Sequence, residues 1–168
     1  MRVIPNNIFF ENVEQLLSEG NSVELRCFGG SMQPYLQGDG REVIIASPFS
    51  PDELIPGAIV LFRYNGKHIC HRIIRRTGEQ LLIQGDGVIG NREEVSTSDV
   101  IGIIRTIIRR NKKPVSTQTQ AAQWYWRCWF RLSPVRRYLL YAYRLWIRIF
   151  GFFCIFASYI GQCKYQIL

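Results

Sequence analysis

Acidic residues are missing from residues 105–168 of this 168-residue chain. All 13 Asp and Glu lie in residues 1–104 beside nine Lys and Arg, whereas the remainder holds twelve Lys and Arg and no acid. The absence of acids argues against a conventional protein-facing surface for the tail, whose alternative is a helix packed on its own β domain or on a partner, and the chain divides into a mildly acidic part and a basic one. Histidine is scarce as well: only His68 and His71 occur, so any imidazole chemistry must use one of them. The five cysteines (Cys27, Cys70, Cys128, Cys154, Cys163) are odd in number and show no Cys-x-x-Cys spacing. That argues against a disulfide framework and for a reducing compartment. The first residues carry no apolar run of signal-peptide or membrane-span length, being interrupted by Pro5, Glu11 and Glu14. Disorder throughout is excluded by an apolar content of 47% against 20% charged residues.

Residues 6–19 predict a short amphipathic helix, with Ile8, Phe9, Val13, Leu16 and Leu17 at helical spacing and Gly20 as its stop. From there to Ile108 the pattern becomes short β-like runs: 23–28, 42–47, 58–64, 68–74, 80–84 and 100–108. Asn65-Gly66 and Thr77-Gly78 are turn signals between successive runs. The expected fold class is mainly β: a small curled antiparallel domain over 21–110, preceded by a helical segment 1–20. Residues 111–123 are rich in Pro, Ser, Thr and Gln and read as a linker, and 124–168 as a basic aromatic helical tail.

The chemistry-bearing stretch is Gly29-Gly30-Ser31-Met32-Gln33-Pro34, followed by Gly38-Asp39. A serine between glycines and a Met-x-Pro turn suits an exposed bend, where its hydroxyl can meet a substrate beside free backbone N–H groups. The same letters suit a plain loop. A serine nucleophile needs a base, and His71 is the candidate. Along a strand, His71 shares a face with Ile69, while His68, Cys70 and Arg72 occupy the other, which disfavours a metal site built on both histidines. No metal or cofactor is expected. Gln84-Gly85-Asp86-Gly87 supplies a carboxylate, Asp86, that could orient an imidazole, with Asp99 as a second choice.

Taken in order, these features resemble the S24/S26 serine peptidase superfamily, which comprises the type I signal peptidases and the self-cleaving SOS-repressor peptidases. The resemblance covers residues 28–106. It rests on Gly30-Ser31-Met32-Gln33-Pro34, Gly38-Asp39, Pro56-Gly57-Ala58-Ile59-Val60, Cys70-His71-Arg72-Ile73, Gln84-Gly85-Asp86 and Asp99-Val100-Ile101-Gly102. A His-Arg step where most bacterial members place Lys is similar to the endoplasmic-reticulum-type signal peptidases. The resemblance implies a serine endopeptidase with Ser31 as nucleophile, His71 as general base and Asp86 as its orienter. Gly30 and Ser31 would donate to the oxyanion, and Met32 and Pro34 would contact substrate. Lys67, in the Asn-Gly turn, is the rival base. An imidazole base predicts activity that rises through neutral pH, a lysine base activity confined to alkaline pH.

The chain departs from the family pattern in three places. Gly29 stands where Ser-Lys members often carry a second hydroxyl. Asn91, with Glu93 and Glu94 beyond it, stands where eukaryotic-type relatives have a further Asp. The N-terminal membrane anchor of the family has no counterpart here.

In the tail, Pro134 suits the first turn of a helix that Ser133 would cap. Arg137, Arg144 and Arg148 then fall within ~40° of one another on that helix. Gly151, Ser158 and Gln162 continue the strip, with Leu145, Trp146, Ile149, Phe150 and Phe153 around it. This pattern suits an interface carrying anionic lipid. The uncharged run Ile149–Cys163 is shorter than the ~20 apolar residues of a span. The expectation is a membrane-associated protein with a cytoplasmic catalytic domain that cleaves a peptide or protein precursor. Nucleic acid is disfavoured as a partner. The alternative is a catalytically lapsed module that docks a precursor or transporter at the membrane.

Overall fold

Asn65 and Gly66 both adopt positive φ (49° and 71°), the geometry of a two-residue turn whose twist matches that of paired strands. Strands β3 (Ile59–Tyr64) and β4 (Lys67–Thr77) are thereby joined with Tyr64 opposite Lys67 and Val60 opposite His71. This computed structural model describes residues 6–162, and side chains over 9–149. The remaining strands are β1 (Val23–Phe28), β2 (Asp39–Ser47), β5 (Gln80–Gln84), β6 (Glu93–Ser96), β7 (Val100–Ile108) and β8 (Pro114–Ser116). They form one antiparallel sheet in the order β1-β2-β7-β3-β4-β5-β6, with β8 continuing beside β7. The mainly β expectation is met. Two short strands escaped the sequence: β6, whose Glu-Glu start hides it, and β8, which lies within the expected linker.

Helix α1 (Asn6–Ser18) buries Val13 and Leu17 against the sheet. Phe10 stacks on the His68 ring at 4.1 Å, and His68 Nε2 meets Glu14 at 2.9 Å. His68 therefore serves to seat the helix. One core cluster, with Leu36, Ile44, Ile59 and Ile107, lies on one face of the sheet. A second, with Val60, Phe62, Ile73 and Ile83, lies on the other. Side-chain alternation explains the division: Ile59 and Leu61 point one way from β3, Val60 and Phe62 the other.

The chain divides into two compact units, Met1–Arg131 and Leu132–Leu168. This corrects the expected boundaries. Residues 111–123 are not a free linker: Thr117 donates its hydroxyl to Ile104 O at 2.6 Å and its amide to Arg105 O at 2.9 Å. Helix α2 (Gln120–Arg131) belongs to the first unit, where Tyr125, Trp126 and Trp129 pack on the β domain. Tyr125, Trp126 and Trp129 thus serve internal packing and not the tail, whereas Trp124 is exposed.

The second unit is built on α3 (Ser133–Gln162), which starts at the expected Ser133-Pro134 step. Tyr138, Tyr141, Leu145, Trp146 and Ile149 are exposed along it, as are Arg137, Arg144 and Arg148. The side chains of Phe150, Gly151, Phe153, Ser158 and Gln162 lie outside the described residues. Among the described residues no helix is long and apolar enough to cross a membrane.

Candidate active site

The loop between β1 and β2 is pinched at its neck, where Gly29 N–H donates to Gly38 O at 2.9 Å. Met32, Tyr35 and Leu36 sink from it into the core, so Ser31 is left half-buried on the outside of the bend. Met32 is only 2% exposed, and its expected role as a substrate contact is corrected to that of an anchor for the loop. Pro34 is half-buried. The Gly30 carbonyl accepts from Gln33 N–H at 3.3 Å and closes the turn.

A second loop, between β5 and β6, lies directly against the first. Gly87 N–H donates to Ser31 O at 2.7 Å. A β-carbon at Gly85 would collide with that same Ser31 carbonyl and would stand 2.9 Å from His71 Nε2. The Ser31 backbone and the imidazole therefore adjoin one point, which only glycine leaves open. His71 is 5% exposed. Its Nδ1 faces Glu93 Oε2 at 3.3 Å, and its Nε2 is buried with no hydrogen-bond partner among the described residues.

Asp86 does something other than expected. Its two carboxylate oxygens accept from Arg72 Nε and Nη2 at 2.9 and 2.8 Å, both residues being fully buried. The remaining Arg72 nitrogen, Nη1, donates to Gly57 O at 2.9 Å. The guanidinium lies 4.6 Å from the Tyr35 ring centre and 5.9 Å from that of Tyr125, and Trp129 Nε1 donates to the Asp86 carbonyl at 2.8 Å. Burial alone would lower the Arg72 pKa, but the Asp86 charge and hydrogen bonds outweigh it and hold the guanidinium more firmly protonated than in water. Asp86 is thus a structural partner of Arg72 that fixes the Gly85–Gly87 loop, and Glu93 is the carboxylate at the imidazole.

Register explains the exchange. Arg72 pairs with Gln84, so Asp86, two residues on, falls to the Arg72 face; Ile73 pairs with Ile83 and Ile83 with Glu93, which puts Glu93 on the His71 face. Glu94 is exposed on the other side. Asp99 ends a short 3-10 turn before β7 with no bond to His71. Lys67 is exposed at the hairpin tip, four residues and roughly 13 Å along β4 from His71. Cys70 faces away from the imidazole, and burial pushes its thiol well above 9.0, which leaves no thiolate nucleophile there at neutral pH.

No family model matches the chain, and no curated protein matches its sequence.

Proposed function

We propose that the chain is a serine endopeptidase of the signal-peptidase type, with Ser31 as nucleophile, His71 as general base and Glu93 as the residue that orients the imidazole. The observation that carries the reading is the shared space at Gly85, where a buried Nε2 without a partner adjoins the Ser31 backbone while Nδ1 is held by a carboxylate. Ser31 Oγ attacks the scissile carbonyl and its proton passes to Nε2, which then gives that proton to the departing amine. Water attacks the acyl-enzyme, its proton passes to Nε2, and Ser31 recovers its hydrogen as the new carboxyl end leaves. On this reading the backbone amides of Gly30 and Ser31 supply the oxyanion donors, since Gly29 brings no hydroxyl. In a substrate-free site the nucleophile–base hydrogen bond is often long and tightens only on binding, which fits an unbonded Nε2.

The substrate is a peptide or protein precursor, and the setting is a membrane surface. Exposed aromatics and Arg137, Arg144 and Arg148 on α3 suit an anionic interface. Free Cys27 and Cys70 within the catalytic unit suit the reducing, cytoplasmic side.

The test is covalent labelling of the full chain by a serine-directed phosphonate. Labelling at Ser31 that disappears in His71→Ala and persists in Lys67→Ala supports the peptidase. An unlabelled wild type that still binds precursor would instead establish the lapsed module, the reading that Gly29 in place of a second hydroxyl favours.

A further inference from the structure

Both feet of the Ser31 loop stand at one end of the sheet. β1 ends at Phe28 and β2 begins at Asp39, and the two residues are paired. At this end β7 turns back into β8, with Ile108 opposite Pro114. Residues 106–108 pair with β2 on one side and β8 on the other, so the strand ends run β1-β2-β7-β8. At ~4.8 Å between neighbours they span roughly 14 Å.

Cations outnumber acids along this rim. Arg26, Val43 and Ile108 are in cross-strand register, so their side chains share a face. Two residues nearer the end on that face stand Arg41 and Arg110, both exposed. Lys112 and Lys113 are exposed in the turn before β8. The acid at the rim, Asp39, is bound by the Arg110 guanidinium and accepts from the Arg41 amide at 3.0 Å. Glu42 points inward, 4% exposed, and accepts from Arg109 and from the Gln37 amide. Glu24 lies two residues farther along β1, away from the end. At the end of β1 the Phe28 ring is 74% exposed and lies over Gly40, where any side chain would strike it. Ser31 is three residues from Phe28, so no more than about 11 Å of chain separates them.

We propose that Arg26, Arg41, Lys112 and Lys113, spread along the sheet end that carries Phe28, bind acidic side chains of an extended peptide lying beside Ser31. This names a substrate class for the reading above and rests on it for where the scissile bond lies. An extended peptide rises ~3.3 Å per residue, so the rim accommodates about four residues, with Arg26 on β1, Arg41 on β2 and the lysine pair in the turn between β7 and β8. Lipid is the less fitting occupant. The rim frames a loop with a single exposed ring, whereas α3 carries the continuous aromatic and cationic surface that an interface favours.

The experiment uses the full chain with Ser31→Ala and two fluorescein-labelled ten-residue Ala/Ser peptides, one with four Glu and one with four Gln. The Glu peptide is expected to bind roughly tenfold more tightly at low salt, an advantage that shrinks as salt is added. Arg41→Glu/Lys112→Glu/Lys113→Glu should abolish that advantage, and the gentler Lys112→Gln/Lys113→Gln, confined to the exposed turn, should reduce it. Equal binding of the two peptides overturns the proposal. So does an advantage that survives charge reversal, which would assign it to the basic tail. A triple variant that keeps the preference but no longer binds phosphatidylglycerol-containing vesicles would assign the rim to lipid. Binding is read without hydrolysis, so a protein with the preference but no phosphonate labelling keeps the rim and loses the peptidase. A labelled protein without the preference does the reverse.

Discussion

Glu93 Oε2 stands 3.3 Å from His71 Nδ1, although 22 residues separate them in sequence. In the proposed mechanism a carboxylate there holds the tautomer that leaves Nε2 free to accept a proton, and it stabilises the imidazolium that forms. Glu93→Gln should therefore slow Ser31 labelling and peptide cleavage by about 10²–10⁴-fold with little change in thermal midpoint. Unaltered rates in this variant would remove Glu93 from the mechanism.

Asp86 predicts the opposite balance of effects. Asp86→Asn leaves the Arg72 guanidinium buried without its partner, a loss expected to cost about 3–5 kcal/mol in chemical denaturation. Replacing both, as Arg72→Met/Asp86→Leu, should recover most of that stability, since a buried pair and an apolar pair of similar size are often close in energy. Trp129→Phe removes only the hydrogen bond to the Asp86 carbonyl and should cost about 1 kcal/mol.

Gly85→Ala tests the convergence of the two loops. The added methyl would overlap the Ser31 carbonyl and press on His71 Nε2. A displacement on the order of 1 Å at the nucleophile is expected to lower phosphonate labelling about a hundredfold. Wild-type labelling in Gly85→Ala would show that Ser31 and His71 do not share that space.

A pH effect on stability is expected at Glu53. The Ser50 amide, followed by the Arg105 guanidinium, holds its carboxyl below the ordinary 4.5. Because the folded value is depressed, its stabilisation is fully present above 4.5 and is lost as pH falls through the lower, folded value. The difference in thermal midpoint between wild type and Glu53→Gln should be constant near neutrality and shrink below pH 4.5. A difference that grows on acidification would contradict the assignment.

Local chemistry made much of this molecule legible in its letters. Asn65-Gly66 places a hairpin because few other pairs tolerate two positive φ angles, and the run 80–84 emerges as a strand with the same bounds. Ser31 declares itself by the glycines and proline around it, and His71 by the shortage of other imidazoles. Residues 114–131 misled in two ways. A polar three-residue strand forms there because the edge of β7 is open to it, and an aromatic helix finds its apolar contact on its own domain. Composition records neither partner.

The succession of short strands from 23 to 108, the glycine-flanked bend at Ser31, the scarcity of histidine and the separation of charge were determined by sequence alone, because each depends on residues close together in the chain, whereas the order of the strands in the sheet rests on distant pairings such as β2 with β7. Which carboxylate meets His71 was decided by tertiary structure. In a pleated sheet the facing side alternates with every residue, so cross-strand register turned Asp86 to Arg72 and Glu93 to the imidazole.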